Sequence, residues 1–356
     1  MRPTIMEIDK KLFKENIEKI RKYVGKEVLP VIKANGYGTH INKELDIIND
    51  FNIVGVAITD EAIELRKLGY KKSILVLNQP DIDEIDEIIN NNITIGISSK
   101  EFLNKLIKRK EKVVVHIEIE TGMNRTGVKL EDLEEFIDKL IKHKNIIIEG
   151  IYSHLSCADY DFEYTNRQID IFKKAVEIAK RKINNIKYIH IEASNGLLNF
   201  NLDFTNLVRA GIIMYGYDSC DGSNKIINYK PIAKLKTKIT YIKEINKNES
   251  VSYGRHFISK KKMKVATIPI GYADGLRRLL SNVGEVIINN KKCQILGSIC
   301  MDSCMIDVTD IDAKVGDTVY IWDNKLITLD DIAQKCNTIN YEIISTISER
   351  VKRVFK

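Results

Sequence analysis

The sequence lacks the features that would mark several other classes of protein. In its 356 residues, no apolar run approaches the ~20 residues that a membrane-spanning helix requires. The first residues, MRPTIMEIDKKLF, place acidic side chains among apolar ones and lack the core of a signal peptide. The six cysteines form no CxxC pair, so no zinc site is expected. We therefore expect a cytoplasmic protein with reduced thiols and no bound metal.

Positive charge is in excess but is not concentrated. The chain has 56 Lys and Arg residues against 49 Asp and Glu, which gives a net charge of +7. The basic residues are interleaved with acids, which is typical of a solvated surface and not of a nucleic-acid-binding stripe. The densest run, Lys260–Lys264, lies between two predicted strands, and we interpret it as an exposed turn. Neither a nucleic acid nor a membrane is expected as a partner.

The first part of the chain alternates short, β-branched apolar runs with amphipathic segments. Eight candidate strands follow one another in this way: Val28–Asn35, Ile53–Ile58, Ser73–Asn78, Ile93–Ser98, Lys112–Thr121, Ile146–Leu155, Tyr188–Ser194 and Asn206–Tyr215. Runs that are apolar throughout indicate a parallel sheet that is buried on both faces. Eight strands in βα alternation within about 215 residues favour a closed (β/α)8 barrel over an open, doubly wound sheet.

The sequence changes in character after residue 217. The polar, turn-rich stretch Asp218–Lys225 is typical of a linker, and strand-like segments with little helix follow it. They predict an antiparallel barrel or sandwich, with one helix near Thr328–Cys336 and a final strand around Thr346–Phe355. We place a boundary between a barrel domain (1–222) and a mostly β C-terminal domain (223–356). Residues 3–9 form a further strand-like segment that is free to pair with the C-terminal domain.

Several polar or small residues fall where such a barrel places its active site, at the carboxyl ends of its strands. They are Lys33 at the end of the first strand, Arg125 after the fifth, His154 at the end of the sixth, Ser194 at the end of the seventh, and Arg209 and Gly211 in the eighth. Burying the ammonium group of Lys33 is costly unless the amine is used, and its natural use is a Schiff base. Ser194 and Gly211 lie where such barrels commonly bind phosphate. Taken singly, the lysine, the histidine and the serine have plainer explanations, as a surface charge, a structural residue and a helix cap.

Eight motifs in chain order resemble those of the alanine racemases, which are fold-type III pyridoxal-phosphate enzymes. They are VIKANGYG, ETGMNRTG, YSHLSCAD, VRAGIIMYG, VSYGR, IPIGYADGLRR, ICMD and SERVKRVF, and they span the chain nearly end to end. The resemblance implies that pyridoxal 5'-phosphate is the cofactor and that L- and D-alanine are interconverted. It implies that Lys33 holds the cofactor and moves the Cα proton on one face. Tyr253 would act on the other face from the partner subunit of a head-to-tail homodimer with shared active sites.

The resemblance also implies roles for the residues around these two bases. It assigns the cofactor phosphate to Tyr37, Ser194, Gly211, Ile212 and Tyr341. Arg209 resembles the arginine that hydrogen-bonds the pyridine nitrogen, and His154 would pack on the ring. It assigns the substrate to Arg125 through its side chain and to Met301 through its backbone N–H, with Tyr272 and Asp302 near the entrance.

The chemistry of racemisation agrees with these roles. Two bases on opposite faces of a planar intermediate remove the weakly acidic Cα proton and return one to the other side. A tyrosine has an unperturbed pKa of ~10, so its phenolate needs a cationic neighbour, and the permanently charged Arg125 suits this purpose. An arginine at position 209 would leave the pyridine nitrogen unprotonated, which limits side reactions such as transamination.

Two positions depart from the pattern of the family. Glu118 stands where many relatives have a lysine, often as a carbamate, seven residues before the equivalent of Arg125. We expect Glu118 to supply this negative charge without modification. Ala193 replaces a common asparagine, which leaves the phosphate contact of this segment to Ser194 alone.

Other activities are open to a chain of this kind. Serine or a broader range of amino acids is an alternative substrate, because a methylene-scale difference is worth only ~1–3 kcal/mol of discrimination. Tyr341 favours a small pocket that suits the methyl group of alanine. A fold-type III decarboxylase would pair the pyridine nitrogen with a glutamate, which Arg209 argues against. A non-catalytic, barrel-only protein that binds the cofactor would lack the segment containing Tyr253.

Overall fold

The structure, a computed structural model, describes residues 2–218 and 227–356. They divide into two compact units. The barrel unit contains Lys14–Gly36 and Ile41–Tyr229, and the C-terminal unit contains the residues up to Phe13, Tyr37–His40 and Lys230–Lys356. The first strand of the chain, β1 (Ile5–Ile8), belongs to the C-terminal unit. Most of the predicted linker, Asp218–Lys225, lies outside the described residues, and so does the boundary at 222/223, which stays a prediction.

Eight parallel strands form the barrel unit. They are β2 (Glu27–Pro30), β3 (Ile53–Val56), β4 (Ser73–Val76), β5 (Thr94–Ile97), β6 (Val113–Glu118), β7 (Ile146–Tyr152), β8 (Tyr188–His190) and β9 (Leu207–Ala210). Strands β3 to β8 are consecutive in one sheet, and β2 pairs with β9. A parallel bridge between Val31 and Gly55 joins β2 to β3, and Asn206 N donates to Ile189 O at 3.1 Å where β8 meets β9. The predicted closed (β/α)8 arrangement is confirmed.

The helices between these strands begin where local sequence favours them. Their bounds are Lys10–Val24, Leu45–Ile48, Thr59–Leu68, Ile85–Asn90, Lys100–Leu106, Leu133–Ile141, Phe162–Lys182 and Ser194–Asn199. Short 3₁₀ helices span Ile41–Lys43, Ile82–Glu84, Leu130–Asp132 and Ile212–Tyr215. Side chains of Ser99 and Asp161 accept hydrogen bonds from first-turn backbone N–H groups of the helices that follow them, which fixes their N-termini.

The strands are buried on both faces, as a parallel sheet between layers requires. Every residue of β3 and of β5 is buried, including Val54 and Ile95, which have no exposed surface. The continuous apolar runs of the sequence therefore correspond to the core of the barrel unit. None of the helices in the described ranges combines the length and the apolar character that a bilayer crossing requires.

The C-terminal unit is built on one large sheet. Its strands, besides β1, are β10 (Ala233–Lys238), β11 (Tyr241–Ile245), β14 (Met263–Ile268), β15 (Glu285–Ile288), β16 (Lys291–Leu296), β17 (Cys304–Asp307), β18 (Thr318–Trp322) and β19 (Lys352–Phe355). The order is β11-β14-β17-β16-β15-β18-β10-β1-β19, and all neighbours are antiparallel except β1 and β19. A separate two-stranded ribbon joins β12 (Ser250–Val251) to β13 (Phe257–Ile258). The expected mostly β fold is confirmed, but the strands form a single sheet and not two facing ones.

Two helices and three 3₁₀ turns complete this unit. Helix Leu329–Lys335 was predicted, and Thr328 and Asp331 form a capping box at its start. Helix Asn340–Ser345 was not predicted, because its six residues carry too little periodic pattern. The 3₁₀ turns span Tyr253–Arg255, Tyr272–Asp274 and Arg278–Leu280.

Candidate active site

Lys33 lies beyond the first barrel strand and not in it. Strand β2 ends at Pro30, and Lys33 begins a five-residue segment, Lys33–Tyr37, that we call the lysine turn. The four residues that follow Lys33 have φ between 51° and 59°, which is the left-handed region. The prediction that Lys33 ends a buried strand was wrong, because a left-handed backbone cannot continue a strand. The lysine side chain is consequently half-buried and not enclosed in the sheet.

The surroundings of Lys33 favour its uncharged amine. Burial lowers the pKa of Lys33 most, and the positive charges of Arg125 and Arg209 lower it further. The carboxylate of Glu61 acts in the opposite direction but does not reverse the shift. Lys33 is therefore more easily deprotonated than a surface lysine, which is the property that a nucleophilic or basic amine requires.

Arg209 lies in β9, as predicted, and is buried. Its Nη1 donates to His190 Nδ1 at 2.7 Å, and its Nη2 donates to Ser153 O at 2.7 Å and to Ile191 O at 3.0 Å. A longer contact of 3.1 Å joins Nη2 to His154 Nδ1. The Nε–H of Arg209 makes no hydrogen bond within residues 2–218 and 227–356, so one donor of a fixed guanidinium is left for a ligand.

Two buried histidines connect Arg209 to the outside of the barrel. His190 Nε2 is 2.9 Å from His116 Nδ1, and His116 Nε2 is 3.5 Å from Glu149 Oε2. Because His190 Nδ1 accepts from Arg209, its proton is on Nε2 and is donated to His116. Burial lowers the pKa of both histidines, so each is neutral at physiological pH. This series of hydrogen bonds was not predicted from the sequence, although a histidine within a β-branched strand was a signal for it.

His154 lies two residues beyond β7, so it does not end the strand as predicted, and it contacts Arg209. Burial lowers the pKa of His154 to about 3, and the charges of Arg209, Arg125 and Lys33 contribute to the shift. The ring is therefore neutral, and its Nδ1 faces the guanidinium as an acceptor. A neutral histidine can accept a hydrogen bond from a cation and hold it in place without repelling it.

Ser194, Gly211 and Ile212 are brought together at the ends of β8 and β9. Ser194 is the first residue of helix Ser194–Asn199 and lies four residues beyond β8, so it does not end a strand as predicted. Its Oγ accepts a hydrogen bond from Gly211 N at 3.2 Å. The N–H of Ile212, which begins the 3₁₀ helix Ile212–Tyr215, donates to no acceptor in the described part of the chain. A hydroxyl and a backbone donor near two helix starts are suited to an anion.

Arg125 and Glu118 flank the loop after β6. Arg125 is exposed, whereas Glu118 is buried as the last residue of that strand. Burial raises the pKa of Glu118, although a hydrogen bond with Thr126 and the charge of Arg125 oppose the shift. Among the described residues, Glu118 has no ion-pair partner, and its Oε2 has no hydrogen-bond partner. The carboxyl is thus near Arg125 electrostatically but not paired with it.

In the C-terminal unit, hydrogen bonds to backbone carbonyls link the loops that carry Tyr253, Tyr272 and Met301. Ser298 Oγ donates to Tyr253 O at 3.1 Å, and Tyr272 N donates to Cys300 O at 3.1 Å. The Tyr253 side chain is 73% exposed. The N–H of Met301 makes no hydrogen bond within the described ranges, so it is free to bind a ligand. These three predicted residues therefore lie in loops that are hydrogen-bonded to one another.

A buried aspartate that the sequence analysis missed supports these loops. Both carboxylate oxygens of Asp274 accept from Arg2, at 2.5 and 2.7 Å, and Oδ2 also accepts from Gly271 N at 2.9 Å. Arg2 donates in addition to Asp302 O at 2.9 Å, and Arg350 donates to Asp302 Oδ1 at 2.5 Å. Asp302 is therefore held from both its backbone and its side chain. In the motif GYADG only the tyrosine was assigned a role, yet the aspartate makes the hydrogen bonds that hold the loop.

The two remaining predicted residues also lie in the C-terminal unit. The rings of Tyr37 and Tyr341 have centroids 6.1 Å apart and are tilted by 47°. Tyr37 is buried, which raises the pKa of its hydroxyl, so it acts as a neutral hydrogen-bonding group. Tyr341 is presented by the unpredicted helix Asn340–Ser345.

Comparisons with known proteins cover both units. Residues 8–219 match the family model described as "Alanine racemase, N-terminal domain", and residues 232–355 match "Alanine racemase, C-terminal domain". A relative named alanine racemase 2, from Caldanaerobacter subterraneus subsp. tengcongensis, is 38% identical over 100% of this chain and 95% of its own length.

Solved structures of similar proteins have the same fold. The alanine racemase of Clostridium difficile 630 superposes with a TM-score of 0.93 at 33% identity, covering 100% of this chain and 96% of that one. The alanine racemase from E. faecalis gives a TM-score of 0.94 at 30% identity, with coverages of 100% and 98%.

The fold and the site together define a racemase with a (β/α)8 barrel unit and a mostly β unit. The agreement of both family models and of full-length relatives identifies which racemase family this is. The chain belongs to the alanine racemase family.

Proposed function

We propose that this protein interconverts L- and D-alanine with pyridoxal 5'-phosphate as cofactor and with Lys33 and Tyr253 as the two bases. Membership of the family supports the reaction. The observation in the structure that carries the proposal is the half-buried Lys33, whose pKa is lowered by burial and by Arg125 and Arg209. Titratable groups with a shifted pKa are concentrated at functional sites.

The donors of the barrel unit fit this cofactor. The Nη atoms of Arg209 donate to backbone carbonyls and to two histidines, which leaves Nε–H to donate to a pyridine nitrogen. Ser194 Oγ, Gly211 and the N–H of Ile212 would bind the phosphate, and the family resemblance adds the hydroxyls of Tyr37 and Tyr341. Neutral His154, fixed by Arg209, would pack on the ring. When bound, pyridoxal phosphate supplies an electron sink that acidifies the Cα–H of an amino acid.

The two bases act on opposite faces of the substrate. Lys33 Nζ would hold the cofactor and then take or return the Cα proton on one face, for which its lowered pKa suits it. Tyr253 would hold or return a proton on the other face. Arg125 and the N–H of Met301 would bind the substrate carboxylate, with Tyr272 and Asp302 at the entrance. Glu118 would occupy the place of the carbamylated lysine of relatives without modification, and the charge of Arg125 would favour its ionised form against the effect of burial.

The exposure of Tyr253 supports a homodimer with shared active sites. Several other apolar side chains of the C-terminal unit are also exposed, namely Ile258, Tyr272, Leu279, Val283 and Met301, at 45–66%. Exposed apolar side chains that form one patch are typical of a protein interface, and we propose that these residues belong to such a patch. Such an interface would deliver Tyr253 to the partner's Lys33. We further propose that the reaction serves D-alanine biosynthesis and that the protein is cytoplasmic.

The first test is a spectrum and an activity assay. The purified protein, loaded with pyridoxal phosphate, is expected to absorb near ~420 nm and to form D-alanine from L-alanine. Lys33→Ala is expected to abolish the band, whereas Tyr253→Phe is expected to keep the band and lose most activity. Absence of the band after incubation with the cofactor would refute the proposal. A preference for serine over alanine would keep the mechanism and change the substrate.

A further inference from the structure

The carboxylate of Glu61 joins two loops at the carboxyl ends of the barrel strands. Glu61 lies in the first turn of helix Thr59–Leu68, directly after β3. Its Oε1 accepts a hydrogen bond from Ala34 N at 2.6 Å, and its Oε2 accepts from Ala57 N at 2.7 Å. Hydrogen bonds to an ionised carboxylate are among the stronger ones in proteins, and the start of a helix favours a negative charge. Glu61 is therefore a two-armed clamp between the loops after β2 and β3.

One of these two hydrogen bonds joins Glu61 to the lysine turn at Ala34, where the left-handed backbone begins. Ala34 follows Lys33 directly and is the first of four residues with a left-handed backbone. This conformation is unfavourable for residues other than glycine and persists only where the surroundings hold it. Gly36 N donates to the carbonyl of Ile32, the residue before the turn, at 2.9 Å. The bond from Ala34 to Glu61 ties the turn to a neighbouring rigid helix.

Glu61 is also an anion among the charged groups that face Lys33. Arg125 and Arg209 are the cations in this set, and His154 is neutral. Glu61 raises the pKa of Lys33, against burial and the two arginines. The same carboxylate that fixes the turn therefore moderates the positive field at the amine.

We propose that Glu61 is a positioning residue for racemisation, whose carboxylate fixes the lysine turn to the loop after β3 and so sets the direction of Lys33 Nζ. This inference rests on the proposed role of Lys33. No role of this kind follows from the sequence, where Asp60 and Glu61 resemble ordinary acids in the first turn of a helix.

The test compares Glu61→Gln and Glu61→Ala with a matched control, Glu64→Gln. Glu64 lies on the same helix and forms an exposed ion pair with Lys43 at 3.3 Å, so its loss removes a charge without touching the turn. In the cofactor-free proteins, hydrogen exchange of the Ala34 amide is measured together with acetylation of Lys33 as a function of pH. We expect Ala34 to exchange at least about 10-fold faster in Glu61→Ala. We expect the apparent pKa of Lys33 to fall in both Glu61 variants, because the arginines stay and the anion is lost.

The loaded enzymes provide the kinetic readout. Misplacing a reacting group by about 1 Å can cost about 100-fold in rate, so we expect kcat to fall about 10- to 100-fold in the Glu61 variants. KM for alanine is expected to change much less, and Glu64→Gln is expected to match the parent protein. Unchanged exchange of Ala34 and an unchanged Lys33 titration in both Glu61 variants would overturn the inference.

A trapping experiment separates this inference from the proposed function. The parent protein is loaded with pyridoxal phosphate, reduced with borohydride and digested, and the modified lysine is mapped by mass spectrometry. A modified Lys33 in the parent, together with unaltered Glu61 variants, would refute the role of Glu61 only. Absence of modification at Lys33 in the parent would refute the proposed function, and the inference with it.

Discussion

At the scale of single residues, the buried cation Arg209 is held by two neutral histidines. Arg209 is buried, and burial lowers its pKa to about 10, so it keeps its charge at neutral pH. His154 and His190 accept hydrogen bonds from it and are themselves neutral. A charged imidazole at either place would lie beside a buried guanidinium, which is costly. The histidines are thus acceptors that fix Arg209, and their neutrality has a consequence for stability.

Stability is expected to fall as the pH is lowered through the histidine range. Burial lowers the pKa of His154 to about 3 in the folded protein, whereas an unfolded histidine titrates near ~6.5. Between these values the unfolded state binds more protons, so stability is complete above pH ~6.5 and is lost progressively toward pH ~3. Each such histidine contributes at most about 1.4 kcal/mol per pH unit.

His154→Gln removes one of these groups and is expected to reduce the pH slope. The free energy of unfolding is measured by urea denaturation at about pH 7, 6 and 5 for the parent and the variant. The parent should lose more stability than the variant between the last two values, by about 1 kcal/mol. Equal slopes for the two proteins would show that His154 is not held neutral by the fold.

At the scale of elements, the lysine turn contains a glycine whose backbone and surroundings both restrict substitution. Gly36 has φ of 59°, and a Cβ at this position would lie 2.8 Å from Ile41 Cγ2 and 3.0 Å from Ile41 N. Gly25 provides a matched comparison, because its φ is 61° and a Cβ there would have no heavy atom within 4 Å. The two glycines share the backbone requirement and differ only in the space around them.

Replacing each glycine by alanine separates these two effects. Gly25→Ala is expected to cost about 1–2 kcal/mol of unfolding free energy, from the left-handed backbone alone. Gly36→Ala is expected to cost about 1–3 kcal/mol more, because Ile41 must move to accommodate the methyl group. Urea denaturation of both variants measures the difference. Equal losses in the two variants would mean that Ile41 moves to accommodate the methyl group at no cost in stability.

The elements also show what the sequence could and could not predict. The barrel strands were found because apolar, β-branched runs reflect burial on both faces, and every such run contains a strand. Lys33 was misplaced because the left-handed turn has no periodic pattern, and Asn35 and Gly36 were its only local signs. Residues 3–9 were expected to be able to pair with the C-terminal domain, but the partner β19 could not be read from either segment, because the pairing joins residues more than 340 apart in sequence. Glu61 was missed because its function depends on two backbone groups and not on a motif.

At the scale of the whole molecule, the proposed site residues are divided between the two units of the chain. The barrel unit holds Lys33, Arg125 and Arg209, whereas the C-terminal unit holds Tyr253, which is 73% exposed. Because the proposed base Tyr253 is so exposed, its own loop does not shield it from water. Exclusion of water strengthens the electrostatic interactions on which such chemistry depends. Association of two copies would provide that shielding, which is the physical reason to expect a shared site.

Mixing two inactive variants tests this sharing directly. In a head-to-tail dimer each site combines Lys33 of one subunit with Tyr253 of the other. Lys33→Ala and Tyr253→Phe are each expected to be inactive as homodimers. After unfolding together and refolding with cofactor, half of the dimers should be mixed, and each should contain one site with both native bases. Random mixing of a closed dimer therefore predicts recovery of about a quarter of the parent activity. Refolding each variant alone is the control, and a mixture that stays inactive while mixed dimers are present would place both bases in a single chain.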